Sequence, residues 1–177
     1  MVKWIATITQ FKTGKGKDEV TIPGPRNMVD MLEVLKLYHY DPATHGSNSI
    51  KAVLPAIIAS STNLRARYGR PRGESGIHSL NFEPDWIWVR PDRGNDPYSA
   101  LPQLFESKVE KEALSAYVET LEDISDGGAA TVAYAKLQFF DLPEKERAAI
   151  RDALLRYCEL DTLAMVMLYE YWREVTA

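Results

Sequence analysis

A regular spacing of apolar residues near the C-terminus constrains the fold more than any other feature of this sequence. Between Ile150 and Val175, apolar side chains recur at steps of three and four residues, with one gap. This spacing predicts a long helical region from about Glu144 onward that buries one face. The residues of this stripe are Ile150, Leu154, Tyr157, Ala164, Met165, Leu168, Trp172 and Val175.

The gap in the stripe is position 161, where the spacing predicts an apolar residue and the sequence has Asp161. An ionised carboxylate on a buried face costs stability unless it is paired, hydrogen-bonded or bound to a metal. Three explanations are open. In the first, the helix ends near Glu159–Leu160, and Asp161 or Thr162 caps a second helix. In the second, Asp161 pairs with a buried arginine. In the third, it is a metal ligand, with Tyr157 one turn earlier on the same face.

The third explanation describes an arrangement of side chains that can serve phosphodiester hydrolysis. Carboxylates hold hard divalent cations, and two such cations about 4 Å apart clamp the attacking and leaving oxygens. A phenol close by can orient the attacking water. Under this explanation the pair fits a catalytic site in which Asp161 would bind Mg²⁺ or Mn²⁺ and Tyr157 would orient the water.

The composition is that of an ordinary globular domain. The 177 residues include 21 basic and 25 acidic side chains, a net charge of −4, and 45% of them are hydrophobic. These values exclude a disordered, collagen-like or low-complexity chain. No apolar run approaches the roughly 20 residues of a membrane helix, and the N-terminus does not resemble a signal peptide. Because the lone Cys158 suits a reducing compartment, we expect a cytoplasmic protein without membrane contact.

Turn-forming residues divide the first third of the chain. Residues 4–11 fit either a short strand or a helix end. Thr13–Arg26 contains three glycines and two prolines, which predicts a mobile connection and makes residues 1–26 a flexible N-terminal segment. Asn27–Tyr40 has helical spacing. A second helix is expected through Ala59, bent by Pro55, and its candidate caps are Ser47 and Ser49.

In the middle of the chain, basic and acidic residues are concentrated in two different segments. A basic loop contains four arginines, and residues 106–126 hold seven acids against two lysines. Trp86–Val89 fits one short strand or a compact insertion, with its tryptophans in the core or at a subunit contact. We interpret residues 60–125 as an insertion, followed by a helix over 129–140 and by Asp141–Glu144 as the cap of the long helix. The basic residues are Arg65, Arg67, Arg70 and Arg72.

Three segments carry a resemblance to known proteins, namely Arg156–Met165, His45–Pro55 and Asp126–Ala130. From about Arg26 onward, the sequence resembles a bacterial domain-of-unknown-function family that is distantly similar to DEDD-type 3′-to-5′ exonucleases of the tyrosine subclass. The resemblance implies an α/β fold, ribonuclease H-like but partial, helix-rich with a small mixed sheet. Residues 1–177 are then a single domain or the C-terminal portion of a longer nuclease domain.

The resemblance matches Asp161 to the metal-binding aspartate of the third exonuclease motif and Tyr157 to its water-orienting tyrosine. The first motif, an Asp-x-Glu on an opening strand, has no counterpart, since Asp18 and Glu19 are adjacent. Residues 27–30 are the nearest segment to the second motif. With three of four acids missing, the chain is expected to be part of a longer nuclease, to act in a homo-oligomer, or to have lost catalysis.

Two hypotheses of function follow. The first is a metal-dependent, 3′-to-5′ exonuclease-like hydrolase that acts on a DNA or RNA end. The second is a non-catalytic module that binds nucleic acid or a partner. Lys51 lies at a helix start, where an anion is favoured, although a solvated surface lysine is the alternative. The residues expected to contact nucleic acid are Lys51, Arg65, Arg67, Arg70 and Arg72.

Overall fold

A computed structural model of the protein describes residues 2–101 and 127–177. The chain divides into two compact units, Met1–Tyr40 and Asp41–Ala177. Helices predominate in the described residues, and their sheet has two antiparallel strands. The expectation of a helix-rich chain with a small sheet is confirmed, although the sheet within these residues is antiparallel rather than mixed.

The first unit contains two helices and a β-hairpin. Its elements are α1 (Val2–Ile8), β1 (Gln10–Thr13), β2 (Val20–Pro23) and α2 (Met31–Tyr38). Residues 4–11 thus include both a helix end and the start of a strand. α2 is shorter than the predicted helix because Asp30 caps it, accepting hydrogen bonds from the backbone N–H groups of Leu32 and Glu33.

Thr13–Arg26, which was expected to be a mobile connection outside the core, contains the end of β1 and all of β2. Backbone pairing joins β1 to β2 in a register that places Gln10 opposite Pro23 and Thr13 opposite Val20. The β-branched residues of β2 favour an extended chain. Gly14, with φ of 90°, provides the backbone freedom that the turn between the strands requires.

The second unit is built around one long helix. Its described helices are α3 (Ile50–Ser60), α4 (Thr62–Tyr68), α5 (Arg72–Ser75), α6 (Gly127–Phe139) and α7 (Glu144–Thr176). α7 packs against α3, α4 and α6. The largest fully buried side chains include Trp88, Tyr68, Leu54, Ile57, Ile58, Leu64, Leu160 and Met167.

α7 is continuous through position 161, so the explanation that a helix ends near Glu159–Leu160 is wrong. Its N-terminus also differs from the expectation, because Pro143 occupies the cap position in place of Asp141. The buried face is not the single predicted stripe, since Met165 and Val175 are exposed. The buried residues of α7 are Ile150, Ala153, Leu160, Ala164, Met167 and Leu168.

The buried face changes along α7 because different neighbours cover its two halves. Near its start, Ile150 and Leu154 pack in a cluster with Val132 and Ala133 of α6. Further along, Glu170 and Glu174 bond to residues of α4 and its cap. A helix covered on more than one side does not keep the one-sided pattern of a surface helix.

The expected basic loop is helical, which corrects the sequence interpretation. Ser61 caps α4 by accepting a hydrogen bond from the backbone N–H of Leu64, and α5 follows after Gly69 and Pro71. α3 begins after Ser49, as predicted, and continues past Pro55 to Ser60. Glycine and proline between these elements had suggested irregular structure, whereas here they separate short helices.

Trp86–Val89 forms no strand, and the described part of the second unit contains none. Trp88 instead packs in the core, with its ring centroid 4.3 Å from that of Phe82. Two 3₁₀ turns follow, Pro91–Arg93 and Pro97–Ala100. The predicted acidic segment over 106–126 lies outside the described residues.

Candidate functional site

Asp161 and Tyr157 lie one turn apart on the same face of α7, as the sequence predicted. Both side chains are partly buried. Asp161 is not paired with an arginine among the described residues; its Oδ1 atom accepts a hydrogen bond of 2.7 Å from the Tyr98 hydroxyl. This bond accounts for a carboxylate at a position where the apolar pattern predicts a hydrophobic residue.

Tyr98 was not identified from the sequence. It belongs to the 3₁₀ turn Pro97–Ala100, which Asp96 caps by accepting a 3.0 Å hydrogen bond from the Tyr98 backbone N–H. Asp96-Pro97 is a recognisable turn signature. It locates the turn, but nothing in the local sequence indicates that Tyr98 reaches a residue in α7.

Lys51 joins the same cluster from the first turn of α3. Its Nζ atom lies 5.1 Å from the ring centroid of Tyr98 and 5.0 Å from that of Tyr157. The two ring centroids are 6.1 Å apart. Both distances from the ammonium group fall within the range of cation–π contact. The structure therefore brings Lys51 together with the pair Tyr157 and Asp161 around Tyr98.

The electrostatics of the cluster keep Tyr98 protonated. Burial raises the pKa of the Tyr98 hydroxyl well above its ordinary value, and the hydrogen bond to Asp161 and the negative charge of that carboxylate raise it further. Tyr98 is therefore a hydrogen-bond donor at neutral pH and does not act as a base.

The donor set for a divalent cation is incomplete in the part of the chain that the structure describes. Within it, no group of three or more His, Cys, Asp or Glu side chains lies close enough to hold a metal ion. Asp161 has the hard oxygen that Mg²⁺ prefers, but one of its two oxygens accepts from Tyr98. These residues alone do not fit a two-metal centre.

The four arginines do not gather at this cluster. Arg65 donates to the backbone carbonyls of Ile58 and Ala59 near the end of α3. Arg67 pairs with Glu170 of α7 at 2.6 Å.

The other two arginines differ in their environment. Arg72 donates to the carbonyl oxygens of Glu83 and Ile77 at 3.2 and 3.3 Å. Arg70 is exposed. Three of the four arginines that were predicted to contact phosphate thus bond to backbone carbonyls or to a carboxylate of α7.

Other carboxylates of α7 accept hydrogen bonds in the same way as Asp161. Glu159 accepts from the backbone N–H and the side-chain amide of Asn81, at 3.1 and 2.6 Å. Glu170 accepts a 2.9 Å bond from the hydroxyl of Tyr68, whose pKa is raised by burial and then by that bond. These contacts attach earlier parts of the second unit to α7.

A groove of about 520 Å³ lies elsewhere on α7. Its walls are mainly apolar and include Leu155, Leu163 and Val166 of the helix together with Ile77 and Leu80. None of the four clustered residues lines it, so it is a separate feature from the Asp161 site.

Comparisons with known proteins do not indicate a function for this chain. No family model, no curated protein and no solved structure matches the chain. In the part that the structure describes, no helix has the length and apolar character needed to cross a membrane.

Proposed function

We propose that this chain carries part of the site of a metal-dependent, 3′-to-5′ exonuclease-like hydrolase of ribonuclease H-like ancestry that acts on the end of a DNA or RNA strand. One observation supports the proposal most strongly. Tyr157 and Asp161 share one face of an unbroken helix, and the Nζ atom of Lys51 lies 5.0 Å from the Tyr157 ring. An ammonium group can neutralise a phosphate, a phenol can orient a water, and a carboxylate can hold a hard cation.

Each of these residues has a distinct task in the proposal. Lys51 neutralises a phosphate of the bound strand, because an ammonium group replaces condensed counterions. Tyr157 orients a water by hydrogen bonding. Asp161 is a ligand of Mg²⁺ or Mn²⁺, which supplies positive charge at the phosphate when bound. The proposal takes the further carboxylates from outside the described residues, from another portion of a longer nuclease or from a second subunit.

A second candidate function is a non-catalytic module that binds nucleic acid or a partner. The observation that favours it is the hydrogen bond from Tyr98 to Asp161, together with the lack of a three-acid group within the described residues. In this alternative, Asp161 is structural, and the contacts are made by Arg70, which is exposed, and by Lys51, which is partly buried.

Degradation of end-labelled oligonucleotides separates the two candidates. Single-stranded DNA and RNA, labelled at the 5′ end, are incubated with the protein and Mn²⁺. The nuclease proposal predicts a ladder shortened from the 3′ end, lost in Asp161→Asn and reduced in Tyr157→Phe. Asp152→Asn, an exposed aspartate on the same helix, is the matched control and keeps activity.

Fluorescence anisotropy with the same strands completes the experiment. Binding without degradation, equal in the parent and in Asp161→Asn, contradicts the nuclease proposal and supports the binding module. A chain that neither binds nor degrades the strands contradicts a nucleic-acid function in both forms.

A further inference from the structure

The apolar groove on α7 runs along about three turns of the helix, from Leu155 to Val166. Leu163 lies between these two residues, and Ile77 and Leu80 line the groove from the segment that follows α5. Leu80 is 98% exposed, and Leu155 and Val166 are also exposed. Contiguous apolar surface of this kind commonly marks a place where a ligand or partner binds.

Four polar side chains of the groove already make hydrogen bonds within the fold. Ser79 Oγ accepts from the backbone N–H of Asn81 at 3.2 Å, and the Asn81 side chain donates to Glu159 at 2.6 Å. The Thr162 hydroxyl donates to the carbonyl of Cys158 at 3.0 Å. An extended peptide would bring backbone N–H and C=O groups that need partners, whereas an alkyl chain brings none. The groove therefore favours an alkyl chain.

A basic depression of about 320 Å³ adjoins the groove, because Leu155 lines both. Arg147 and Arg151 line this depression one helical turn apart. Arg151 is exposed and has no carboxylate partner among the described residues. Its guanidinium group is therefore available to an anion from solvent.

The depression remains positively charged when its two acids are included. Asp152 is paired with Arg156 at 3.0 Å, so its charge is compensated. Glu144, at the start of α7, balances only one of the charges of Arg147 and Arg151. One end of the apolar groove thus carries a net positive charge.

We propose that the groove and the adjoining depression bind a single-chain amphiphile with an anionic head group, such as a long-chain carboxylate. The alkyl chain packs along Leu155, Leu163 and Val166, and the head group lies at Arg151. The groove volume of about 520 Å³ is within the range of about 300–1,000 Å³ that is usual for small-molecule sites. This inference is independent of the proposed nuclease function, because Lys51, Tyr98, Tyr157 and Asp161 do not line the groove.

Isothermal titration calorimetry of the full chain with three probes tests the alkyl chain and the head group separately. The probes are dodecanoate, decanoate and dodecyltrimethylammonium, each below the concentration at which it forms micelles. We expect one dodecanoate to bind per chain. Decanoate is expected to bind up to about fifteenfold more weakly, because each buried methylene contributes about fourfold in affinity. The cationic probe is expected to bind about fivefold more weakly than dodecanoate.

Two matched pairs of variants on α7 locate the site. Val166→Asp places a carboxylate in the groove, and Val175→Asp places one at an exposed position outside it. We expect Val166→Asp to weaken dodecanoate binding by at least about tenfold, because a charge against an alkyl chain loses its water. Arg151→Gln is expected to weaken it by about two- to fivefold. Val175→Asp and Arg173→Gln, which changes another exposed arginine of α7, are expected to leave the Kd unchanged.

The outcomes decide the proposal even if Val166→Asp does not fold, because the Arg151 pair and the three probes do not depend on it. No binding of dodecanoate, or equal affinity for the anionic and cationic probes, overturns the proposal. Equal losses of affinity in both members of a variant pair also overturn it. Binding to phosphatidylglycerol vesicles without binding of monomeric dodecanoate overturns it in favour of a membrane surface.

Discussion

Replacing Glu170 with alanine tests whether the arginine-bearing helix α4 is anchored in the fold. Glu170 accepts from the Tyr68 hydroxyl at 2.9 Å and pairs with Arg67 at 2.6 Å. Tyr68 is fully buried, so the substitution leaves a buried hydroxyl without this acceptor. The arginine side chain is 45% exposed, so its ion pair is largely solvated.

The magnitude follows from these two contacts. A buried hydrogen bond to a charged group contributes about 1.5–3 kcal/mol. An exposed ion pair contributes about 0–1 kcal/mol. Glu170→Ala is therefore expected to lower the free energy of unfolding by about 1.5–4 kcal/mol, and Arg67→Ala by less than about 1 kcal/mol.

Urea unfolding, monitored by circular dichroism, measures the free energy of unfolding of both variants. The double variant Tyr68→Phe/Glu170→Ala completes a mutant cycle and is expected to give a coupling energy of about 0.5–3 kcal/mol. If Glu170→Ala is no less stable than Arg67→Ala and the coupling is absent, then Tyr68 and Glu170 do not anchor α4, and the structural role assigned to this segment is refuted.

Two further predictions concern stability. Because burial and carboxylate hydrogen bonds raise the pKa values of Tyr68 and Tyr98, the stability they contribute is complete below about pH 10, where unfolded tyrosine ionises, and falls above it. Urea unfolding between about pH 9 and 11.5 is expected to show that the free energy of unfolding falls by up to about 1.4 kcal/mol per pH unit for each tyrosine. An equal fall in the double variant Tyr68→Phe/Tyr98→Phe contradicts this. Leu160 is 0% exposed, and Leu160→Ala is expected to lower the free energy of unfolding by about 2–5 kcal/mol. Leu155 is 45% exposed, and Leu155→Ala is expected to lower it by less than about 1 kcal/mol. Similar losses in the two variants contradict the burial assigned to α7.

Local periodicity predicted the parts of the site that lie on helices. The spacing of α7 places Tyr157 and Asp161 on one face, and Ser49 precedes the helix that carries Lys51. Such features depend on residues within a few positions of one another. They are therefore visible in a single sequence.

Contacts across long separations were not predictable in this way. The bond between Tyr98 and Asp161 joins residues 63 positions apart, and its signal is absent from both local sequences. The arginines were assigned to nucleic acid because four cations occur together. Their acceptors, among them Glu170 and the carbonyl of Ile58, are supplied by the packing of α4 on other helices.

The central proposal is that nucleic acid binds at Lys51, Tyr157 and Asp161, which lie around Tyr98. Chemical-shift mapping of the ¹³C,¹⁵N-labelled chain during titration with a short single-stranded oligonucleotide and Mg²⁺ tests it most directly. The account predicts that the largest changes fall on these four residues and are lost from the cluster in Lys51→Ala. Changes concentrated on Arg70 and its neighbours, or confined to the apolar groove lined by Leu155 and Val166, contradict it.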